Sequence, residues 1–473
     1  MINLVTTMSR YLMILLILIY TYYNFRFFSL PDDESKLRLC RLQNVPLFLI
    51  FLLSGTIIYL QTEDEAVVLF FGAQLVFFVL YQLLYRLFYR NASRLLLNNT
   101  CMLLCTSFIM LTRISMDKAV RQFIIMAVAA VITMIIPYVI DRTWQLAKIP
   151  WVYGLIGLAL LLVVCVIGNT SFGAQLSISI GGFSFQPSEF VKISFVFFVA
   201  TMFYRSTEFK NVAITTGVAA AHVLILVLSK DLGSALIFFL AYVLMLFIAT
   251  SNWLYLAGGL GSGCAAAMLA YKLFSHVRVR VEAWQDPWSD IAGKGYQVTQ
   301  ALFAIGTGGW FGMGLCQGSP ELIPVAETDF IFSAIAEELG LIFALCMILV
   351  CVSCYVMFLN IAMEIHNQFY KLVALGLGTC YVFQVFLTIG GVTKFIPSTG
   401  VTLPLVSYGG SSMLSTMIMF GIIQGLYIVR EDEEEIIEKK RERALKDEAR
   451  RKAKKQPAKQ KKTFEEVPKQ RVR

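Results

Sequence analysis

Residues able to do chemistry gather in a few short stretches between long apolar runs. The richest is IPVAETDFIFSAIAEELG (residues 323–340), which sets Glu327, Asp329, Glu337 and Glu338 where a loop turns into an apolar helix. A carboxylate facing lipid costs several kcal/mol, so each must face a wet cavity, a partner or a substrate. Glu337 and Glu338 suit a structural ion pair with a neighbouring span as well as a functional role. For Asp329, at the mouth, a functional role is the expected one. Upstream, GFSFQPSEFVK (182–192) starts another span with Pro187 and Ser188 at the helix N-terminus, and Glu189 and Lys192, three apart, share a face and can pair inside the membrane. KDLGSA (230–235) again puts charges at a helix end. The segment IGGVTKFIPSTGVTLPLVSYGGSS (389–412) is rich in Gly, Pro and hydroxyls; it suits a rigid irregular loop whose backbone amides approach an anion.

These stretches must be positioned by membrane helices. The chain has 473 residues, 58% hydrophobic and only 15% charged, with a mean hydropathy of +0.70. A soluble domain is about a quarter charged, so the composition excludes one. Apolar runs near 6–24, 45–61, 66–86, 95–112, 120–140, 150–168, 188–204, 212–228, 233–250, 253–273, 331–358, 369–389 and 410–429 have spanning length. They predict an all-α polytopic membrane protein of about thirteen transmembrane helices, because lipid leaves no partner for open backbone groups. Three parts follow: spans in residues 1–90, a core over 91–430, and a charged tail over 431–473.

Arg26, Lys36, Arg38 and Arg41 follow the first span, Arg86, Arg90 and Arg94 the third, and the basic tail the last, which makes that side cytoplasmic. The N-terminus then lies outside and the C-terminus inside. Residues 168–187, 275–330 and 390–409 become long outer connections, where function is expected. Within the longest, residues 291–311 read as an amphipathic or re-entrant helix and not a full span. The tail opens acidic, turns Lys/Arg-rich and predicts a helix that gives way to disorder beyond Gln456; its charge suits an anionic lipid surface, not nucleic acid. The first apolar run, followed by the charged segment 24–42, reads as a retained span and not a cleaved leader. The ten cysteines fall mostly in apolar runs and the three histidines are far apart, so no His or Cys metal cluster is visible.

In this order, FQPSEFVK, KDLGSAL, AIGTGGWFGMGLCQG, ETDFIFSAIAEELG and PSTGVTLPLVSYGGSS resemble the signature of the SEDS family (shape, elongation, division and sporulation), typified by RodA and FtsW. The similarity covers roughly residues 95–430 and corresponds to the family's ten-span core, with three extra N-terminal spans in front. It implies a peptidoglycan glycosyltransferase that polymerises lipid II, an undecaprenyl-diphosphate-linked substrate, into glycan strands on the outer face of the bacterial cytoplasmic membrane during cell-wall synthesis. The family's essential carboxylate falls on Asp329, with the role of general base. The departing lipid diphosphate needs cationic stabilisation; Arg278, Arg280, Lys294 and Lys394 are candidates, as is a divalent cation, magnesium or manganese, on Asp329 and Glu327. Glu189, Lys192, Ser407, Gly409, Gly410 and Ser411 complete the expected substrate site, and a class B penicillin-binding protein is the implied partner. Glu327 departs from the His common at its place in the family, and Ser229-Lys230 from the usual Gln-Pro.

Two other readings compete. A lipid II flippase or other transporter also carries intramembrane charge, but its polar site belongs near the midplane, whereas these loops gather on one face. A non-catalytic scaffold of a cell-wall synthase predicts that Asp329 is replaceable.

Overall fold

The computed structural model describes residues 2–142, 144–171, 174–180 and 183–465. Its helices are α1 (Ile2–Phe27), α2 (Asp33–Thr62), α3 (Glu65–Phe88), α4 (Arg94–Ile114), α5 (Met116–Arg142), α6 (Pro150–Ile167), α7 (Pro187–Arg205) and α8 (Phe209–Leu228). There follow α9 (Leu232–Thr250), α10 (Trp253–Leu273), α11 (Ser275–Gln285), α12 (Tyr296–Gly308), α13 (Ile331–Leu339), α14 (Leu341–Glu364), α15 (Gln368–Val392) and α16 (Gly410–Glu465). Many start where the sequence signals it: the side chains of Asp32, Asp64, Ser93, Asp231, Asn252 and Asn367 accept backbone N–H groups of the first turns, and Pro187 opens α7.

Among the described residues twelve helices are long and apolar enough to cross a membrane. The predicted first span coincides with α1. The predicted span 331–358 is two helices. Gly340, at φ 91°, breaks it, so Glu337 and Glu338 sit in the short α13 and not at the head of a span. Residues 291–311 contain the 13-residue α12, too short to span. The departure from an all-helical chain is a small antiparallel sheet, β1 (Asn169–Ser171), β2 (Ala174–Ile180) and β3 (Phe183–Phe185), in the loop before α7. The last helix runs to Glu465, past the predicted start of disorder at Gln456, because Ala, Glu, Lys and Arg are strong helix formers.

α4 lies at the centre, with every residue of its apolar window buried, whereas none of α10's is. Around α4 the extra N-terminal helices join the core through polar side chains. Asn98 Nδ2 donates to Cys40 O (2.8 Å) and Gln43 Oε1 (3.0 Å) of α2. Asn99 Nδ2 donates to Asn24 Oδ1 of α1 (3.1 Å), which also accepts from Ser353 Oγ of α14 (2.7 Å). Such interhelical bonds contribute about 0.6–2 kcal/mol each in lipid. Helices α1 and α2 therefore pack on the core rather than beside it.

Arg10 and Arg430 lie at opposite ends of the bundle. Arg10 of α1 donates to Gly312 O (3.0 Å), in the turn that meets the start of α14, while Arg430 of α16 pairs with Glu364 at the other end of α14. Twenty-four helical residues, about 36 Å, separate those ends.

Candidate active site

The turn after α12 is laid into the break at Gly340. Leu341 N donates to Gly309 O (3.0 Å) and Ile342 N to Trp310 O (3.2 Å), while Met313 N donates to Glu337 O (2.8 Å) and Gly314 N to Glu338 O (2.9 Å). The turn thus satisfies the open N–H groups that begin α14 and the open carbonyls that end α13. Only glycine permits this approach at 312: φ is 76°, and a Cβ would stand 2.4 Å from Glu338 O. The Arg113 side chain of α4 fixes the same region, Nε donating to Glu338 Oε1 (3.0 Å) and Nη2 to Gly318 O (3.1 Å). Glu338 is therefore the structural ion pair that its position in the sequence allowed.

Asp329 sits two residues before α13, held from the other side by the 403–409 segment. Ser407 Oγ donates to Thr328 O, and Tyr408 N donates to Glu327 O (2.7 Å). Gln122 of α5 bridges that segment, donating to Ser407 O (3.1 Å) and accepting from Gly409 N (3.3 Å). Across from Asp329 lies Arg280 of α11, whose Nη1 donates to Ser398 O (3.2 Å). Gly400, at φ 73°, stands between them: a Cβ there would lie 3.4 Å from Arg280 Nη2 and 3.7 Å from Asp329 Oδ2. Burial raises the Asp329 pKa above the ordinary carboxylate value, the Arg280 charge and the Thr328 hydroxyl pull it back down, and Glu327 pushes it up. Burial lowers the Arg280 pKa, and Asp329 and Asp231 oppose that fall. The outcome is a carboxylate poised closer to neutrality than a free one, facing a cation that closes no ion pair with it.

Below this mouth a polar network joins four helices. Ser188 Oγ of α7 donates to Asp231 Oδ2 (3.1 Å), which caps α9. Lys192 Nζ donates to Glu189 Oε2 and to Gln384 Oε1 of α15, both at 2.6 Å. Gln384 Nε2 donates in turn to Thr402 O (3.2 Å) and Ser412 Oγ (3.3 Å), and Ser415 Oγ of α16 donates to Glu189 Oε2 (2.9 Å). A buried charge pair so satisfied is tolerated where an isolated charge is not.

The structure brings Asp329, Arg280 and Ser407 together and, beneath them, Glu189 with Lys192; Gly409 lies against Gln122. Ser411 Oγ instead accepts from Gln186 N (2.9 Å), at the start of α7, and Gly410 is the first residue of α16. Lys294 turns away, pairing with Glu282 (2.8 Å). Glu282 and Arg278 are each two residues from Arg280 on α11, hence on the opposite helix face. Lys394 contributes a backbone carbonyl, accepting from Trp284 Nε1 (3.1 Å) and tying α11 to the end of α15. Glu327 is engaged by Lys118. Among the described residues no group of three His, Cys, Asp or Glu side chains is placed to hold a metal ion. Sequence reasoning missed Gln384 and Gln122. A polar amide inside an apolar helix was the available signal.

The family model described as "Cell cycle protein" (FtsW/RodA/SpoVE) matches residues 93–431. The peptidoglycan glycosyltransferase RodA of Mycobacterium bovis is 36% identical over 298 residues, covering 59% of this chain and 64% of that protein. The chain thus spans somewhat less than two thirds of that relative's length. A probable peptidoglycan glycosyltransferase FtsW of Geobacter metallireducens is 34% identical over 311 residues, covering 63% of this chain and 82% of that protein. A solved structure described as "Structural coordination of polymerization and crosslinking by a peptidoglycan synthase complex" superposes with a TM-score of 0.61 at 23% identity, over 72% of this chain and 98% of that one, a likeness of fold. With the family model matching well over half of its residues, this multi-span membrane protein belongs to the FtsW/RodA/SpoVE family.

Proposed function

We propose that this chain is a peptidoglycan glycosyltransferase that polymerises lipid II, with the Asp329 end of the bundle facing outward from the bacterial cytoplasmic membrane. The observation that carries the reading is the Asp329 carboxylate, half-buried and raised in pKa, opposite an exposed Arg280 guanidinium that closes no ion pair with it. Asp329 takes the proton of the acceptor sugar hydroxyl as that oxygen bonds to the donor's anomeric carbon. The bond from that carbon to the lipid diphosphate breaks, and the diphosphate leaves with the electron pair. A base whose pKa lies nearer the working pH is the more effective one. Arg280 donates to the departing diphosphate, where a preorganised cation lowers the barrier. One carboxylate together with diphosphate oxygens is an ordinary donor set for magnesium, so such a cation would be held by Asp329 and the substrate jointly.

Its partner in this reading is a class B penicillin-binding protein, which crosslinks the strand. The reading is supported by the kinship with proteins named peptidoglycan glycosyltransferases. The test is polymerisation of labelled lipid II by the purified full-length protein, with and without such a partner, comparing wild type with Asp329→Ala. Strands from wild type and none from the folded variant support both the activity and the base. Equal polymer from both removes Asp329 from the chemistry. No polymer from either, with partner and magnesium present, shifts the weight to a lipid II flippase or a scaffold.

A further inference from the structure

The family model begins at residue 93, so α1 lies outside the matched segment, yet α1 reaches the loop that carries Asp329. Arg10 Nη1 donates to Gly312 O (3.0 Å) and Nη2 to the Tyr11 hydroxyl (2.8 Å), and the Tyr11 ring lies against Phe311 (5.7 Å between centroids). The Arg10 guanidinium also stands over the Tyr11 ring, 4.7 Å from its centroid, which fixes its direction. One residue beyond Met313, Gly314 has φ 105°, and a Cβ there would meet Thr6 Cγ2 of α1 at 3.4 Å. The turn so gripped donates Met313 N and Gly314 N to the last carbonyls of α13, the helix that begins two residues after Asp329.

We propose that Arg10 is a positioning residue of the Asp329 loop: through Gly312 and the 313–314 amides, α1 sets where α13, and with it Asp329, stands. The catalytic half of this inference rests on the glycosyltransferase reading above; the positional half does not. A charge-assisted bond to a carbonyl is among the stronger hydrogen bonds of a protein. Arg113 of α4 holds Glu338 of α13 and Gly318 O, and Arg10 of α1 holds Gly312 O, so the loop is bound by two guanidiniums of which one is supplied by a helix outside the family segment.

The experiment uses the full chain in nanodiscs, with Arg10→Ala, Arg10→Lys, and Leu15→Ala as a control on the exposed face of the same helix. Amide exchange at Met313 and Gly314 is expected to quicken about tenfold in Arg10→Ala, to return toward wild type in Arg10→Lys, and to stay unchanged in Leu15→Ala. Per folded molecule, kcat for lipid II polymerisation is expected to fall about tenfold in Arg10→Ala with KM unchanged, because Arg10 touches no substrate. Unchanged exchange in Arg10→Ala overturns the proposal, and so does faster exchange with unaltered kcat. If wild type forms no polymer, the glycosyltransferase reading fails, and the exchange result alone then upholds or overturns the positional claim.

Discussion

The Arg280 guanidinium and the Asp329 carboxylate face one another across Gly400 without closing an ion pair. Arg280 is steadied by Ser398 O rather than spent on Asp329, and its charge still lowers the carboxylate pKa against the effect of burial. Replacing Arg280 by Gln removes that lowering. The acidic limb of the polymerisation pH profile, where activity is lost as Asp329 protonates, is expected to move to higher pH, together with a fall in kcat from the unmet diphosphate charge. A limb that stays in place would separate Arg280 from the ionisation of the base.

Asp329 itself is expected to trade stability for chemistry. Its folded pKa lies above the unfolded one, so the native state binds the proton more readily and stability falls as pH rises from the unfolded carboxylate value through the raised folded value. Asp329→Asn keeps the shape without the charge. Its melting temperature above that window is expected to exceed wild type, while below the unfolded value the two converge; polymer formation is lost throughout.

Gly400 is expected to resist substitution. Its φ of 73° strains any residue with a Cβ, and that Cβ would lie in contact with Arg280 Nη2 at 3.4 Å. Gly400→Ala is expected to cost about 1–2 kcal/mol from the backbone alone. On the proposed role of Asp329 and Arg280, steady-state kinetics should show a fall in kcat beyond what the loss of folded protein explains, because the new methyl group would stand between those two side chains.

The Lys192–Glu189 pair gives a thermodynamic cycle. Both are buried and bonded at 2.6 Å, and Gln384 and Ser415 complete their shells. Lys192→Met leaves Glu189 an uncompensated buried carboxylate and is expected to destabilise by about 3–5 kcal/mol, whereas adding Glu189→Gln recovers most of the loss. Thermal unfolding in detergent of the two single variants and the double variant decides it; additive losses would remove the pair as a coupled unit.

Glu327 makes a contrasting case. Although it stands two residues from Asp329, its carboxylate is engaged by the partly exposed Lys118, a kind of pair that contributes about 0–1 kcal/mol. Glu327→Gln is expected to lower the melting temperature little and to shift the acidic limb slightly downward, because a like charge that raises the Asp329 pKa is gone. A loss of polymerisation comparable to that of Asp329→Asn would restore Glu327 to the reaction.

Local rules carried much of this protein. Apolar runs of bilayer length can be nothing but helices in lipid, Pro187 and Asp231 mark helix starts by their own backbone chemistry, and Glu189 and Lys192 must share a face at a spacing of three. Asp329 stood out because a carboxylate at a membrane mouth is costly unless used. Spacing could not say which cation it meets. Arg278, Arg280 and Lys294 are equally basic in sequence, and only the rotation of α11 turns Arg280 inward and leaves Lys294 to Glu282. Nor could spacing reveal that residues 309–314 plug a helix break at Gly340, or that Arg10, some three hundred residues away, holds that plug. Contacts between segments far apart in the chain depend on how whole helices pack, and packing is set by the sum of many side chains rather than by any local pattern.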